Sequence, residues 1–206
     1  MIIHDVKQGS IEWFALRLGK VTGSTLKDAI SDNYLSVIDR IIAERETDES
    51  EDSDYISEDM QRGNDLEPFA RIAYERFTGN KITQVGFIQH LELYDFFGIS
   101  SDGIHLVDSI AIGAVEIKCP KTKTHVKRIR QNQLPNEYKL QALSHFVISP
   151  TIEWVDFVSY DDRFAKKPLF IHRTLRSHVA DEINAIHRGL IRFESKLNEL
   201  TEQILF

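Results

Sequence analysis

The spacing of apolar residues switches from helical to alternating and back again, dividing the chain into a helical first third, a strand-rich middle and a helical end. In SIEWFALRLG, Ile11, Phe14 and Leu18 recur at spacings of three and four, which predicts a short helix with those residues on its inner face. Beyond Thr22-Gly23-Ser24 a second helix begins, with Ser24 as candidate N-cap and Leu35, Ile38 and Ile42 along its apolar stripe. A third helix is expected over 58 to 78, burying Met60, Phe69, Ala73 and Phe77, with Pro68 as a kink and Gly79 in the C-cap position.

From Lys81 to Lys118 the pattern becomes short runs of Ile, Val and Phe between turn residues, which reads as an antiparallel meander with strands near 82 to 90, 94 to 99, 103 to 107 and 112 to 118. A basic loop follows. NEYKLQALSHFVIS is then a helix with Tyr138, Leu140, Ala142, Leu143 and Phe146 covered, IEWVDFVSYD is a strand, and LFIHRTL is its candidate neighbour. Across about 176 to 204, Ile183, Ile186, Leu190, Phe193, Leu197, Leu200 and Ile204 alternate three and four apart. So short a heptad stripe fits one helix packed back on the domain better than a coiled coil.

Length and composition support one compact α/β domain over 1 to 206, with a central mixed β-sheet flanked by helices: 206 residues, 42% of them apolar, are enough for a sizeable core. Cys119 is the only cysteine, so a single chain can build neither a disulfide nor a cysteine-rich zinc or iron–sulfur site. The first residues lack a leader pattern and no apolar run reaches membrane-spanning length, so a cytoplasmic protein is expected.

A net charge of −7 argues at first against a nucleic-acid partner. The charge is segregated, however. Residues 44 to 59 hold nine acids and one Arg, leaving the rest of the chain at +1, and residues 118 to 130 carry six Lys or Arg and no acid. The field at a groove matters more than the total. The acidic run is expected to be a solvated loop.

The residues that carry chemistry lie in the middle: Asp102 within SSDG, then, after thirteen intervening residues, Glu116-Ile117-Lys118. Alternate side chains of a strand share a face, so Glu116 and Lys118 point toward a cleft while Val115, Ile117 and Cys119 point toward the core. A hairpin of that length brings Asp102 beside Glu116, and two carboxylates with the Ile117 carbonyl make an oxygen-rich half-cage suited to Mg²⁺ or Mn²⁺. A metal so held can polarise a phosphodiester and acidify a bound water, with Lys118 positioning or deprotonating that water. Taken alone, the same three residues are equally an exposed Asp and a strand-end ion pair.

Five blocks decide between these readings by their order and spacing: QGSIEWFALRLGKVTGS at 8 to 24, RGNDLEPFARIAYERFTG at 62 to 79, SSDG at 100 to 103, EIKCP at 116 to 120 and YKLQALSHFV at 138 to 147. In these the chain resembles the phage lambda-type recombination exonucleases of the PD-(D/E)xK nuclease superfamily. The resemblance implies a restriction-endonuclease-like core, with Asp102 and Glu116 as metal-binding carboxylates, the Ile117 carbonyl as a further ligand, Lys118 as the catalytic lysine and Glu67 as a helix-borne acid near the metal. It also implies a pocket for a DNA 5′-phosphate built from Arg17, Ser24, Ser100 and Gln141, residues of suitable donor chemistry. Singly, each has a plainer reading as a cap or a solvated helix position. Met60 stands where relatives place a wedge into the terminal base pair, although a core contact is equally open. Ser101 stands where the family often has proline.

The implied activity is Mg²⁺-dependent 5′-to-3′ degradation of one strand of linear duplex DNA to 5′-mononucleotides, leaving 3′ tails for recombination with a single-strand annealing protein. A homotrimeric ring and a phage or prophage origin are also implied. The rival readings are a restriction-like or junction-cutting endonuclease and a catalytically silent DNA-end-binding module. No histidine shows metal-ligand spacing, Cys119 reads as a buried apolar residue, and Trp13 reads as a core anchor.

Overall fold

The computed structural model describes residues 1–51, 57–90 and 95–206. In chain order the elements are β1 (Ile2–His4), α1 (Ile11–Arg17), α2 (Leu26–Ala29), α3 (Tyr34–Thr47), α4 (Glu58–Thr78), β2 (Phe87–Gln89), β3 (Gly98–Ile99), β4 (Gly103–Val107), β5 (Ile110–Lys118), α5 (Thr122–Gln131), α6 (Asn136–Ile148), β6 (Trp154–Tyr160), β7 (Leu169–Leu175) and α7 (Ala180–Leu205). The strands form two sheets rather than one meander. β1, β2 and β3 pair antiparallel, and β4–β5–β6–β7 form a mixed sheet with a parallel junction between β5 and β6.

The mixed sheet is buried on both faces. On one, Val115, Ile117, Trp154 and Val158 pack with Ala70 and Tyr74 of α4. On the other, Ala114 and Val155 join Leu143 and Phe146 of α6 and the Ile183–Leu197 stripe of α7 in the larger core. Strands covered on both sides read as near-continuous apolar runs, as GAVEI and EWVDFV do. α7 packs back onto this core as expected, with Ile204 left 57% exposed at its end.

Several expectations are corrected. The second helix is two: α2 is closed off before α3 starts, Thr25 occupies the N-cap position, and the Ser24 hydroxyl bonds Thr22 Oγ1 at 3.0 Å instead. Leu35 is 50% exposed, while Ile38 and Ile42 are buried. On α1 none of the residues is buried; Trp13 anchors it by donating from Nε1 to Gly86 O and Ser100 Oγ. On α4 the ends and the Gly79 cap at φ 77° are as expected, but Met60, Phe69 and Phe77 are exposed. The helix instead meets the sheet through small Ala70 and through Tyr74, whose hydroxyl bonds Asp156 at 2.7 Å, so close approach and a satisfied polar group outrank side-chain size.

Of the strand expected at 82 to 90, only Phe87–Gln89 pairs regularly, with Thr83 making an isolated bridge to Ile104, and β1 as its neighbour was not foreseen. The strand at 94 to 99 shortens to Gly98–Ile99 among the described residues, position 94 lying outside them. The basic loop is the helix α5. Its inner positions are His125 and Arg128, whose polarity hides the helical stripe. The acidic segment is not wholly a solvated loop either. Residues 52 to 56 lie outside the described residues, but Glu44 is buried in α3, accepting from Gly19 N at 2.8 Å and Arg40 Nη1 at 2.7 Å.

Candidate active site

The antiparallel register of β4 and β5 pairs Gly103 with Val115, which sets Asp102, one residue earlier, across from Glu116. Asp102 Oδ2 accepts a hydrogen bond of 2.6 Å from Ile117 N, fixing the carboxylate against β5. Glu116 is fully buried, and Lys118 forms an ion pair with its Oε1. The expected open cleft is therefore a covered cluster, reached where the Lys118 side chain keeps 25% of its surface.

Both Glu116 carboxylate oxygens are buried; the Lys118 ammonium lies against Oε1, and Oε2 has no hydrogen-bond donor among the described residues. An acceptor left in that state costs free energy unless something else binds it. Burial pushes the Glu116 carboxyl up to about 7, with Lys118 opposing and Asp102 adding to the shift. For Lys118, burial works against the charge, but Glu116 and Asp102 outweigh it and hold the ammonium above its ordinary pKa.

Glu67 arrives from α4, bonded by Arg71 Nη2, and Arg71 also donates from Nε to Asp102 O at 3.2 Å and from Nη1 to Gln84 Oε1 at 3.0 Å. Burial first, then the Asp102 charge, push Glu67 up to about 7 against the opposing Arg71. Arg71 was not singled out in the sequence, although the i,i+4 spacing to Glu67 carries the signal.

Tyr138 is a second residue whose role sequence reasoning missed. Lys118 Nζ lies 5.3 Å and Arg128 Cζ 5.1 Å from its ring centroid, and the ring stacks on Phe157 at 5.5 Å. The electron-rich face favours the charged ammonium.

Among the described residues no three His, Cys, Asp or Glu side chains converge as a metal cage. The donor set nevertheless fits a hard divalent ion, because Glu116 offers an oxygen without a donor beside the one that meets Lys118, Asp102 stands across from it, and a backbone carbonyl of Ile117 can supply a further oxygen. Cys119 is buried on the opposite face with its thiol pushed up to about 12 by burial and by the nearby acids, which removes it from nucleophilic chemistry.

The four residues expected at a phosphate pocket come from two helices, α1 and α6, and two connecting segments. Arg17 Cζ sits 4.2 Å from the Trp13 ring centroid, and Trp13 in turn donates to Ser100 Oγ at 2.9 Å. A Cβ on Gly23 would lie 3.5 Å from Gln141 Cγ and 3.8 Å from Ile99 Cγ2, so the Gly23–Ser24 turn abuts both α6 and the end of β3. Met60 is 55% exposed, which rules out the core contact. Ser101 is fully buried and its hydroxyl meets His145 Nε2 at 3.0 Å and Gly103 O at 3.1 Å, occupying the family's proline position with hydrogen bonds.

A mixed sheet carrying carboxylates and a lysine at its parallel junction, with helices on both faces, has the PD-(D/E)xK nuclease type of fold. The chain belongs to the family described as the YqaJ-like viral recombinase domain, which it matches over residues 12–150. It is similar to the alkaline exonuclease LHK-Exo from Laribacter hongkongensis, with 35% identity and a TM-score of 0.76 over 94% of this chain and 97% of that one. A second structure of that enzyme, in complex with dAMP, matches equally. A phage-related exonuclease from Haemophilus somnus 129PT shares the fold at a TM-score of 0.55 with 14% identity, covering 90% of this chain and 96% of that one. No curated protein matches the chain.

Proposed function

We propose that this chain is a divalent-metal-dependent exonuclease that degrades one strand of linear duplex DNA from its 5′ end, releases 5′-mononucleotides and leaves a 3′ tail for annealing-based recombination. The observation that carries this reading is the fully buried Glu116, ion-paired to Lys118 and set across from Asp102, in a chain 35% identical to an alkaline exonuclease over nearly its whole length. The dAMP complex of that relative fits a mononucleotide product.

Asp102, Glu116 and the Ile117 carbonyl would hold Mg²⁺, or Mn²⁺ in its place. Such an ion supplies Lewis acidity toward a phosphate oxygen and acidifies a water. Lys118, held charged by its neighbours, neutralises negative charge building on the phosphate and orients the attacking water. Glu67, with its carboxyl near neutrality, accepts or returns a proton at that water. Arg17, Ser24, Ser100 and Gln141 would receive the terminal 5′-phosphate, and Met60, which is exposed on α4, would meet the terminal base pair. A homotrimeric ring around DNA, a single-strand annealing partner and a phage origin belong to the same proposal.

The test is nucleotide release from linear duplex DNA with Mg²⁺, comparing 5′-phosphate with 5′-hydroxyl ends. Release should favour the phosphorylated end, and Arg17→Ala should erase that preference while leaving the 5′-hydroxyl rate unchanged. Equal cutting of closed circular DNA would instead select the endonuclease reading, and metal-independent binding without product would select the end-binding module.

A further inference from the structure

A concavity of about 670 Å³ lies on the other side of α6, between that helix and α7. Tyr138 faces Lys118 and His145 bonds Ser101 beside Asp102; at 3.6 residues per turn, Lys139, Leu140 and Leu143 fall on the roughly opposite side of the helix. These line the concavity together with Ile30, Glu182, Ala185, Ile186, Arg188 and Arg192. None of them belongs to the carboxylate cluster or the phosphate pocket.

Its floor and its rim differ in chemistry. Ile30, Leu140 and Ala185 offer the apolar base, backed by the buried Leu143 and Ile186, and Gly189 lets α7 press against Ile30, since a Cβ there would sit 2.8 Å from Ile30 Cβ. The rim carries Lys139, Arg188 and Arg192 against one acid, Glu182. Lys139 meets Glu182 at 3.3 Å with both side chains about 40% exposed, so that bridge is weak and exchangeable. Arg192 Nη2 donates to Ile30 O at 2.8 Å, and Arg188 is exposed and makes no ion pair among the described residues. In a chain of net charge −7, a cationic rim around an apolar trough is a local reversal.

We propose that the α6–α7 groove docks an acidic amphipathic helix of a partner protein, whose apolar stripe lies on the floor while its flanking carboxylates pair with Arg188, Arg192 and Lys139. An amphipathic helix meets a groove through anchors at i, i+3, i+4 and i+7, and charged rims fix its register. Nucleic acid fits less well, because half or more of protein–DNA hydrogen bonds go to phosphate and sugar, and an apolar floor offers them nothing. The groove reading stands apart from the nuclease reading and can fail without it.

The test uses the full chain and a fluorescent synthetic helix with leucines at those spacings and glutamates on both flanks, read by anisotropy. Saturable binding should weaken roughly tenfold or more in Arg188→Glu, which reverses a rim charge, and in Ala185→Trp, which fills the trough. A lysine-flanked version of the helix should bind Arg188→Glu better than the unaltered protein. DNA degradation should stay unchanged in both variants. The proposal is overturned by no saturable binding, by equal affinity in the variants, or by competition from a short duplex whose own binding falls in both variants, which assigns the groove to DNA. A drop in sedimentation mass caused by Ala185→Trp would also overturn it, by assigning the groove to a second copy of the chain.

Discussion

Two neighbouring strands each bury a carboxylate completely, and the protein treats the two in opposite ways. Asp156 on β6 accepts from Tyr74 Oη at 2.7 Å and from Arg173 Nε and Nη2 at 2.8 and 2.7 Å. Glu116 on β5 has only the Lys118 ammonium, against Oε1, and no donor on Oε2 among the described residues. Asp156 pairs in register with Val115, so the two acids point to opposite faces of the sheet. The lesson is that saturation separates a carboxylate completed by the fold from the one proposed to hold a metal. Asp156 is complete within the fold, whereas Glu116 keeps acceptor capacity on Oε2 that no described residue fills.

Breaking each side should give opposite profiles. Lys118→Ala is expected to lower the rate of nucleotide release about 10³-fold, the scale of losing a preorganised charge at the reacting centre, and to lower the melting temperature less than the change at Asp156 does, because Glu116 can take up a proton once its counter-ion is gone. Asp156→Ala should lower stability by roughly 2–3 kcal/mol, below the full cost of splitting a buried pair because Arg173 keeps access to water. Activity in the folded fraction should survive. Denaturant melts and initial rates on the same preparations check both; a Lys118→Ala protein that unfolds easily yet cuts normally would invert the comparison.

The acid response sharpens it further. Asp161, at the end of β6, is buried too, but Arg163 and Thr122 outweigh the burial and hold it at about 2 against an ordinary 3.8. Its stabilising contribution is present above pH 3.8 and disappears as pH falls toward 2. Glu116 runs the other way. Between 4.5 and about 7 the folded chain keeps a proton that the unfolded chain has released, so stability falls as pH rises through that window. Metal-free protein should therefore melt at progressively lower temperature from pH 4.5 to 7, and Mg²⁺ should restore stability at the upper end. Glu116→Gln should reduce the slope, leaving the share that Glu67 contributes over the same window, and remove the Mg²⁺ effect.

Much of this site is legible in the sequence because a strand's two-residue period is unforgiving: once GAVEIK is a strand, Glu116 and Lys118 share a face and Val115 and Ile117 take the other. The misread parts share a cause, namely buried positions filled by polar or small residues. His125 is buried with both ring nitrogens bonded, to Ser159 Oγ and Lys167 O, and Arg128 lies under Tyr138 and Phe157, so α5 looks like a charged loop. Ala70 and Tyr74 outcompete Phe69 and Phe77 for the inner face of α4. Glu44 disappears into a run of acids although it caps the Gly19 turn. No spacing rule signals that Tyr138 faces an ammonium from another element.

Tyr138 gives a smaller effect than the lysine it faces. Tyr138→Leu removes the aromatic face and should cost about tenfold in kcat, the scale of a partly desolvated cation–π contact. Because the ring favours the charged form, its loss should also move the alkaline limb of the pH–rate profile to lower pH. Tyr138→Phe keeps the face and should behave nearly as the unaltered protein. Equal defects in the two variants would mean that the hydroxyl, not the ring, acts on Lys118.

The smallest effect is expected one residue from Asp102. Ser101→Ala takes the hydroxyl from His145 Nε2 and leaves a buried ring nitrogen unmet, since Nδ1 already faces Ala142 O at 3.1 Å. Burial holds His145 below its ordinary pKa, so the ring cannot recover the loss by charging near neutral pH. The stability cost should be about 1–2 kcal/mol. Asp102 is fixed separately through Ile117 N, so Mn²⁺ affinity measured by calorimetry should hardly move. A large fall in that affinity would instead show that the Ser101–His145 contact, like the Ile117 amide, sets the Asp102 carboxylate in place.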